Sequence, residues 1–178
     1  MQGNKRIGRS LVRRGNKVNF YCDKMQIPDG RIEYYDFISH KGAAAVVPIL
    51  ENGKILMVKQ YRNSIDRFTL EIPAGALDYE DEPFIECARR ELREETGYSC
   101  DNIEFLVSNY STVAICNERI DIFIARNLSL GQQDLDDDEF IDVYEYDLEE
   151  LKSMIFEGKI QDAKTICGIL AYESKFLR

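Results

Sequence analysis

A single histidine, His40, stands in the 178-residue chain. That scarcity argues against histidine acid/base chemistry and leaves His40 as a structural or dimer-contact residue. No apolar run approaches the roughly 20 residues of a membrane span. The opening MQGNKRIGRSLVRRGNK carries basic residues but lacks the apolar core of a secretory signal, so the expected address is the cytoplasm, with no membrane partner. The five cysteines, at 22, 87, 100, 116 and 167, show neither a metal-ligand spacing nor a disulfide framework, and read as reduced packing residues. Repeats, low-complexity tracts and linkers are also missing. One domain is therefore expected over residues 1–178, with 1–41 as a basic arm and N-terminal hairpin. Residues 1–17 contain six cations and no acid, so a net charge of −9 leaves −15 on the remainder. Such a body repels nucleic acid, and the arm reads as a solvated tail or a strand that crosses to a partner subunit.

What is present alternates between strand and helix signals. VNFYCDKMQIPDGRIEYYDFI has apolar and polar residues alternating around Pro28-Asp29-Gly30, which predicts a hairpin. AAAVVPIL and KILMVKQY read as buried strands joined by Glu51-Asn52-Gly53, a tight hairpin turn. RFTLEIPAG is a short strand entering a Pro/Gly loop, and a helix is expected from about Pro83 to Thr96, closed by Gly97. IEFLVSNY, RIDIFIA and FIDVYEY follow as strands, with LSLGQQDLDDDE as an acidic loop. Asp147 with Glu150 offers a capping pattern for a helix over LEELKSMIFE, and Asp162 opens a last helix, AKTICGILAYESKF. The sum is an α/β layered domain with a partly antiparallel sheet.

The stretch RRELREETGY puts Glu91, Glu94 and Glu95 on one side of the central helix, beside an apolar strip of Ile85, Ala88 and Leu92. Like charges at that spacing destabilise a helix by about 0.2–0.5 kcal/mol per pair. A hard divalent cation takes several oxygen ligands, so a bound metal removes the repulsion. Arg90, four residues before Glu94, can hold that carboxylate by a fork of donors and leave its other oxygen free. Arg89 and Arg93, next to Glu86, read as surface charges that serve solubility.

The order of these residues carries a resemblance. GALDYEDEPFIECARRELREETGY resembles the Nudix box, G-x(5)-E-x(7)-R-E-U-x-E-E-x-G-U with U apolar, in the Glu, the Arg-Glu-Leu, both later Glu and the Gly. Six residues rather than five separate Gly75 from Glu82, so either the loop is one residue longer or Asp81 takes the first acidic position. The longer loop keeps the helical spacing of Glu82 and is the reading adopted. The resemblance implies a Nudix α/β/α sandwich with a mixed sheet. It also implies a divalent metal, magnesium with manganese as the alternative, at a diphosphate that water attacks. Glu91, Glu94 and Glu95 become the central metal-site carboxylates, Glu82 an auxiliary one, and Arg90 their orienter, with Arg90 and Glu94 also counted in catalysis. Metal ions would neutralise an anionic diphosphate and lower the pKa of bound water.

Beyond the box, EIPAG, VKQYR, FIDVYEYDLEEL and GKIQDAKTICGIL are similar to segments of ADP-ribose pyrophosphatases. That likeness implies a backbone-carbonyl metal ligand at Ala74. It implies a metal-binding or water-activating Glu139 in DDDEFIDV, with Asp137 and Asp138 as neighbours, and a phosphate-binding Arg62. Glu118 matches an acidic family position close to the site. Aromatic faces for the base are offered by the first hairpin, where Tyr34 and Tyr35 join Phe20, Tyr21 and Phe37. Two features depart from the family. YSTVAICNE has Val113 and Ala114 where a PSPG-like loop is usual, and an arginine common upstream is replaced in YYDF. The expectation is hydrolysis of a nucleoside diphosphate sugar, ADP-ribose to AMP and ribose 5-phosphate, by a homodimer whose N-terminal strands exchange. The alternatives are another sugar-nucleotide pyrophosphatase, such as one for GDP-mannose, and a non-hydrolysing Nudix-like nucleotide sensor.

Overall fold

The computed structural model describes residues 3–137 and 139–177. The chain forms two compact units, one of residues 1–42 and 110–119, the other of residues 43–109 and 120–178. No helix among the described residues is long and apolar enough to cross a membrane.

The first unit is an antiparallel sheet of β1 (Lys5–Arg14), β2 (Asn19–Gln26) and β3 (Ile32–Ser39) in that order. The expected hairpin is β2–β3, closed where Gly30, at φ 90°, donates its N–H to the Ile27 carbonyl. The basic arm is no tail. It pairs along β2 of its own chain, because Arg9 forks Asp23 at 2.5 and 2.6 Å and lies 3.7 Å from the centre of the Phe37 ring. The loop 110–119 is tied to β3 by hydrogen bonds between Ile38 and both Ile115 and Asn117.

The second unit holds two sheets. One has the order β7 (Ala74–Ala76), β4 (Ala43–Pro48), β9 (Arg119–Leu130), β8 (Tyr98–Tyr110), with β4 parallel to β9 and antiparallel to β7. The other has the order β10 (Ile141–Tyr146), β5 (Ile55–Arg62), β6 (Arg67–Glu71), antiparallel throughout. The turn at Glu51-Asn52-Gly53 forms, but the strands it joins do not make a hairpin. A single bridge links Ile49 to Ile55, and β4 and β5 then part into different sheets. Every residue of β4 is buried, so both its faces need cover.

Three helices among the described residues supply cover. Helix α1 (Phe84–Thr96) packs Ala88 and Leu92 against the side of β4 that carries Ala44 and Val46. Ala45 and Val47 face the main core with Ile122 and Ile124, closed by Leu151 of α2 (Leu148–Phe156) and Ile169 and Tyr172 of α3 (Ala163–Phe176). Gly168 lets α3 come close, since a Cβ there would press within 3.0–3.3 Å of Ile72, Val47 and Ile122. Pro83 and Gly97 bound α1 as their residue types dictate, Gly97 at φ 76° returning its N–H to Arg93. Asp162 caps α3 by accepting from the Thr165 N–H at 2.9 Å. Asp147 precedes α2, but its side chain makes no capping bond, so the expected cap is positional only.

Candidate metal centre

The carboxylate face of α1 lies under strand β7. Glu95 is 3 % exposed and accepts the Ala74 N–H at 2.9 Å, so Ala74 meets the site through its backbone. The Glu91 carboxylate lies against Gly75 so closely that any Cβ at that position would collide with it. Gly75 is thus required by close approach, a role that the box glycine signals in sequence.

Arg90 is the hub. It donates to Glu91 at 2.6 Å, to Glu94 at 3.1 Å, to both oxygens of Glu82 at 3.2 and 3.3 Å, and to the Ala76 carbonyl at 3.1 Å. Glu82 is buried and also accepts the Asp78 N–H at 2.7 Å, whereas Asp81 is exposed. Of those two acids, Glu82 is the one bound into the site. The second oxygen of Glu94 is not left free, because Arg93 donates to it at 3.1 Å and also reaches Asp134. Arg93 therefore belongs to the site's border rather than to a surface cluster with Glu86. Arg89 instead donates to the Cys100 carbonyl.

The electrostatics set these glutamates apart. Burial pushes Glu91 up to about 7 despite the Arg90 contact, and pushes Glu95 up to about 8 with repulsion from Glu91 as the next cause. The Glu139 charge adds to both shifts, which brings the acidic loop into the same field. Glu82 is held below its ordinary value, because its bonds to Arg90 and Asp78 together outweigh burial, the largest opposing cause.

Among the described residues no three His, Cys, Asp or Glu side chains already form a metal cage. The donor chemistry nonetheless fits a hard divalent ion: carboxylate oxygens, packed at low exposure, share one guanidinium among three glutamates. A soft, thiolate-binding metal is poorly matched, since burial pushes the nearby Cys87 thiol up to about 12.

The loop that carries Glu139 is stapled to the end of α1. Gly131 donates to the Gly97 carbonyl at 2.7 Å, Gln133 Nε2 to the Glu95 carbonyl at 2.6 Å, and Asp134 N–H to the Glu94 carbonyl at 3.0 Å. Glu139 itself is half-buried, its N–H bonded to Asp136. Asp137 is exposed, and Asp138 lies outside the described residues. Gln133 was not singled out by sequence, as nothing local marks a side chain that reaches back 38 residues.

Arg62 is a half-exposed residue at the end of β5 whose Nε and Nη2 fork the buried Glu71 at 2.8 and 2.7 Å. Lys164 also donates to Glu71, which is held down to about 2 by these two cations against the burial that opposes it. Both Glu71 and Lys164 escaped sequence reasoning as site residues. Their partnership spans 93 positions.

Tyr34, Tyr35 and Glu118 belong to the first unit. Tyr34 and Tyr35 are exposed on β3, and Tyr35 lines a cavity of about 210 Å³ with Phe37, Asp23, Asp36 and the stretch from Val113 to Cys116. Glu118 stands 3.5 Å from His40 Nδ1, which accepts the Gly42 N–H at 3.1 Å, so His40 serves the local backbone.

Comparison with known proteins follows the same lines. The model of the NUDIX domain matches residues 39–168. The chain is 37 % identical to a methanol dehydrogenase activator from Bacillus methanolicus, over 87 % of this chain and 84 % of that protein. It is 34 % identical to an ADP-ribose pyrophosphatase from Bacillus subtilis, over 93 % of this chain and 90 % of that protein. The crystal structure of an ADP compounds hydrolase superposes with a TM-score of 0.86 at 17 % identity, covering 98 % of this chain and 94 % of that one, and speaks to the fold.

Proposed function

Because this chain belongs to the Nudix hydrolase family, we propose that it hydrolyses a nucleoside diphosphate sugar with magnesium, ADP-ribose to AMP and ribose 5-phosphate being the first candidate. The observation that carries this reading is the pair Glu91 and Glu95, buried against Ala74 and Gly75, with the Arg90 guanidinium on Glu91 shared with Glu82 and Glu94 and with Glu95 bonded to a backbone N–H. Glu91, Glu94, Glu95 and the Ala74 carbonyl would hold the metal, with manganese as a substitute. When bound, the metal would neutralise the diphosphate and make bound water more acidic.

The chain's own groups have distinct tasks. Arg90 keeps Glu82, Glu91 and Glu94 at fixed separation, and Arg62 receives a phosphate. Glu139, on the loop stapled to α1 through Gln133 and Asp134 and in the electrostatic field of Glu91 and Glu95, would take a proton from the attacking water. The water oxygen bonds to one phosphorus, the bridging P–O bond breaks, and its electron pair leaves on the departing phosphate. Tyr34, Tyr35 and Glu118 are assigned to the nucleoside and sugar ends. A homodimer suits the first unit, whose edge strand β1 leaves Ile7, Leu11 and Val12 exposed beside its cations.

A screen of ADP-ribose, GDP-mannose, UDP-glucose, NADH and diadenosine polyphosphates with magnesium tests the reading. AMP and ribose 5-phosphate from ADP-ribose, lost in Glu95→Gln, are expected. Preference for GDP-mannose keeps the reaction and changes the substrate, whereas tight binding without turnover makes the protein a sensor. A second reading, activation of a dehydrogenase, is favoured by the likeness to the Bacillus methanolicus protein, and is checked by adding this chain to a methanol dehydrogenase assay.

A further inference from the structure

We propose that Glu71 is the positioning residue that aims Arg62 at the diphosphate, braced by Lys164; this rests on the reaction proposed above. A guanidinium has two edges that can each fork an anion, one through Nε and Nη2 and one through Nη1 and Nη2. Glu71 takes the first edge of Arg62 in a two-bond fork. The second edge has no protein acceptor among the described residues, and the Arg62 side chain is 37 % exposed, so a ligand can reach it.

Glu71 is itself locked. Thr69 Oγ1 donates to one of its oxygens at 2.6 Å and Lys164 Nζ to the other. Lys164 is paired in turn with Asp162 at 3.0 Å, the residue that caps α3. The guanidinium plane is thereby fixed to the first turn of α3 and to β6, two residues before the Pro73-Ala74 segment that meets Glu95. Folding alone gives little reason for such a cluster, because a buried ion network is often no more stabilising than apolar residues of the same volume. Fixing a bidentate donor next to a carboxylate site does give a reason. An unfixed arginine would lose rotamer freedom on capturing a phosphate, a cost that prior fixing removes. Arg62 and Lys164 together balance Glu71 and Asp162, so the cluster does not add to the acidic field that an incoming phosphate must cross.

The test measures kcat and KM on the cleaved substrate, and in parallel the Kd of inorganic pyrophosphate with magnesium by calorimetry. Glu71→Gln is expected to raise KM and the pyrophosphate Kd by about tenfold, with kcat within about threefold, the signature of lost binding. Arg62→Ala should do the same, and the double variant should be no worse than Arg62→Ala alone, because Glu71 acts through Arg62. Lys164→Met should raise both constants by a smaller factor, and Lys164→Arg should restore them. A Glu71→Gln protein that melts lower but keeps wild-type KM and pyrophosphate Kd would overturn the proposal, as would additive losses in the double variant. If Glu71→Gln does not fold, wild-type constants in Lys164→Met overturn it equally. Pyrophosphate binding that responds to these variants in a protein that cleaves no nucleotide sugar would refute the substrate reading and leave the positioning role standing.

Discussion

Glu71 and Glu95 are buried to nearly the same degree, at 2 % and 3 % exposure, in the same unit of the fold. Yet the first is held down to about 2 and the second pushed up to about 8. Burial cannot be the difference. Glu71 has two cations in contact, Arg62 and Lys164, while Glu95 has a backbone N–H and a neighbouring carboxylate, Glu91. One site is saturated with positive charge and the other is short of it. A buried carboxylate cluster that folding leaves short of cations is a place where an added cation is favourable, which is the physical content of a metal site.

The sharpest way to separate the two regions is to neutralise each. Glu95→Gln should lower turnover on the order of a hundredfold or more, the scale of losing one aimed charge in an active site. Measured without metal at pH 8, the same variant should melt higher than wild type, since it removes a buried charge that costs stability while an amide oxygen can still accept from Ala74. Glu71→Ala should do the reverse to stability, losing about 3–5 kcal/mol in chemical denaturation at neutral pH, because two cations are left without their partner. Its pH dependence has a definite sign. A carboxylate held down in the folded state contributes stability that is full above the unfolded value of 4.5 and lost as pH falls through about 2. The gap between wild type and Glu71→Ala should therefore close in that acid window.

Gly75→Ala probes the shape of the deficient site. The new Cβ would push the Glu91 carboxylate away, and because that is a flexible side-chain end the stability cost should stay within about 1 kcal/mol. Activity should fall by about tenfold as Glu91 leaves its place beside Arg90. The smallest effect is expected at the rim of the saturated site. Asp162→Ala removes the α3 cap and should cost about 1 kcal/mol in the same denaturation experiment.

How much of this was legible in the sequence depended on distance along the chain. The bounds of α1 were written locally by Pro83 and Gly97, and the spacing of Glu82, Arg90, Glu91, Glu94 and Glu95 placed them on one helix and its entry loop. The bounds of α3 were equally local. The parting of β4 and β5 was not, because an Asn-Gly turn specifies a reversal without saying which sheet each strand joins. Nor was the cluster around Glu71. Both EIPAG and DAKT stood out by resemblance, but only the folded chain brings Lys164 to Glu71 and lets Arg93 cross to Asp134. Charge pairs at helical spacing can be read from a sequence, whereas pairs that close across the tertiary structure cannot.

The most direct test of the metal centre is magnesium binding followed by calorimetry at pH 6.5 and pH 8.5, in buffers of different ionisation enthalpy. With Glu91 and Glu95 raised to about 7 and 8, the folded protein without metal retains protons that the unfolded chain gives up near 4.5, so its stability falls as pH rises through that range. Binding should then release protons, tighten by about tenfold or more at the higher pH, and disappear in Glu95→Gln. Affinity that ignores pH, releases no proton and survives in Glu95→Gln would contradict the assignment of this carboxylate face to a metal.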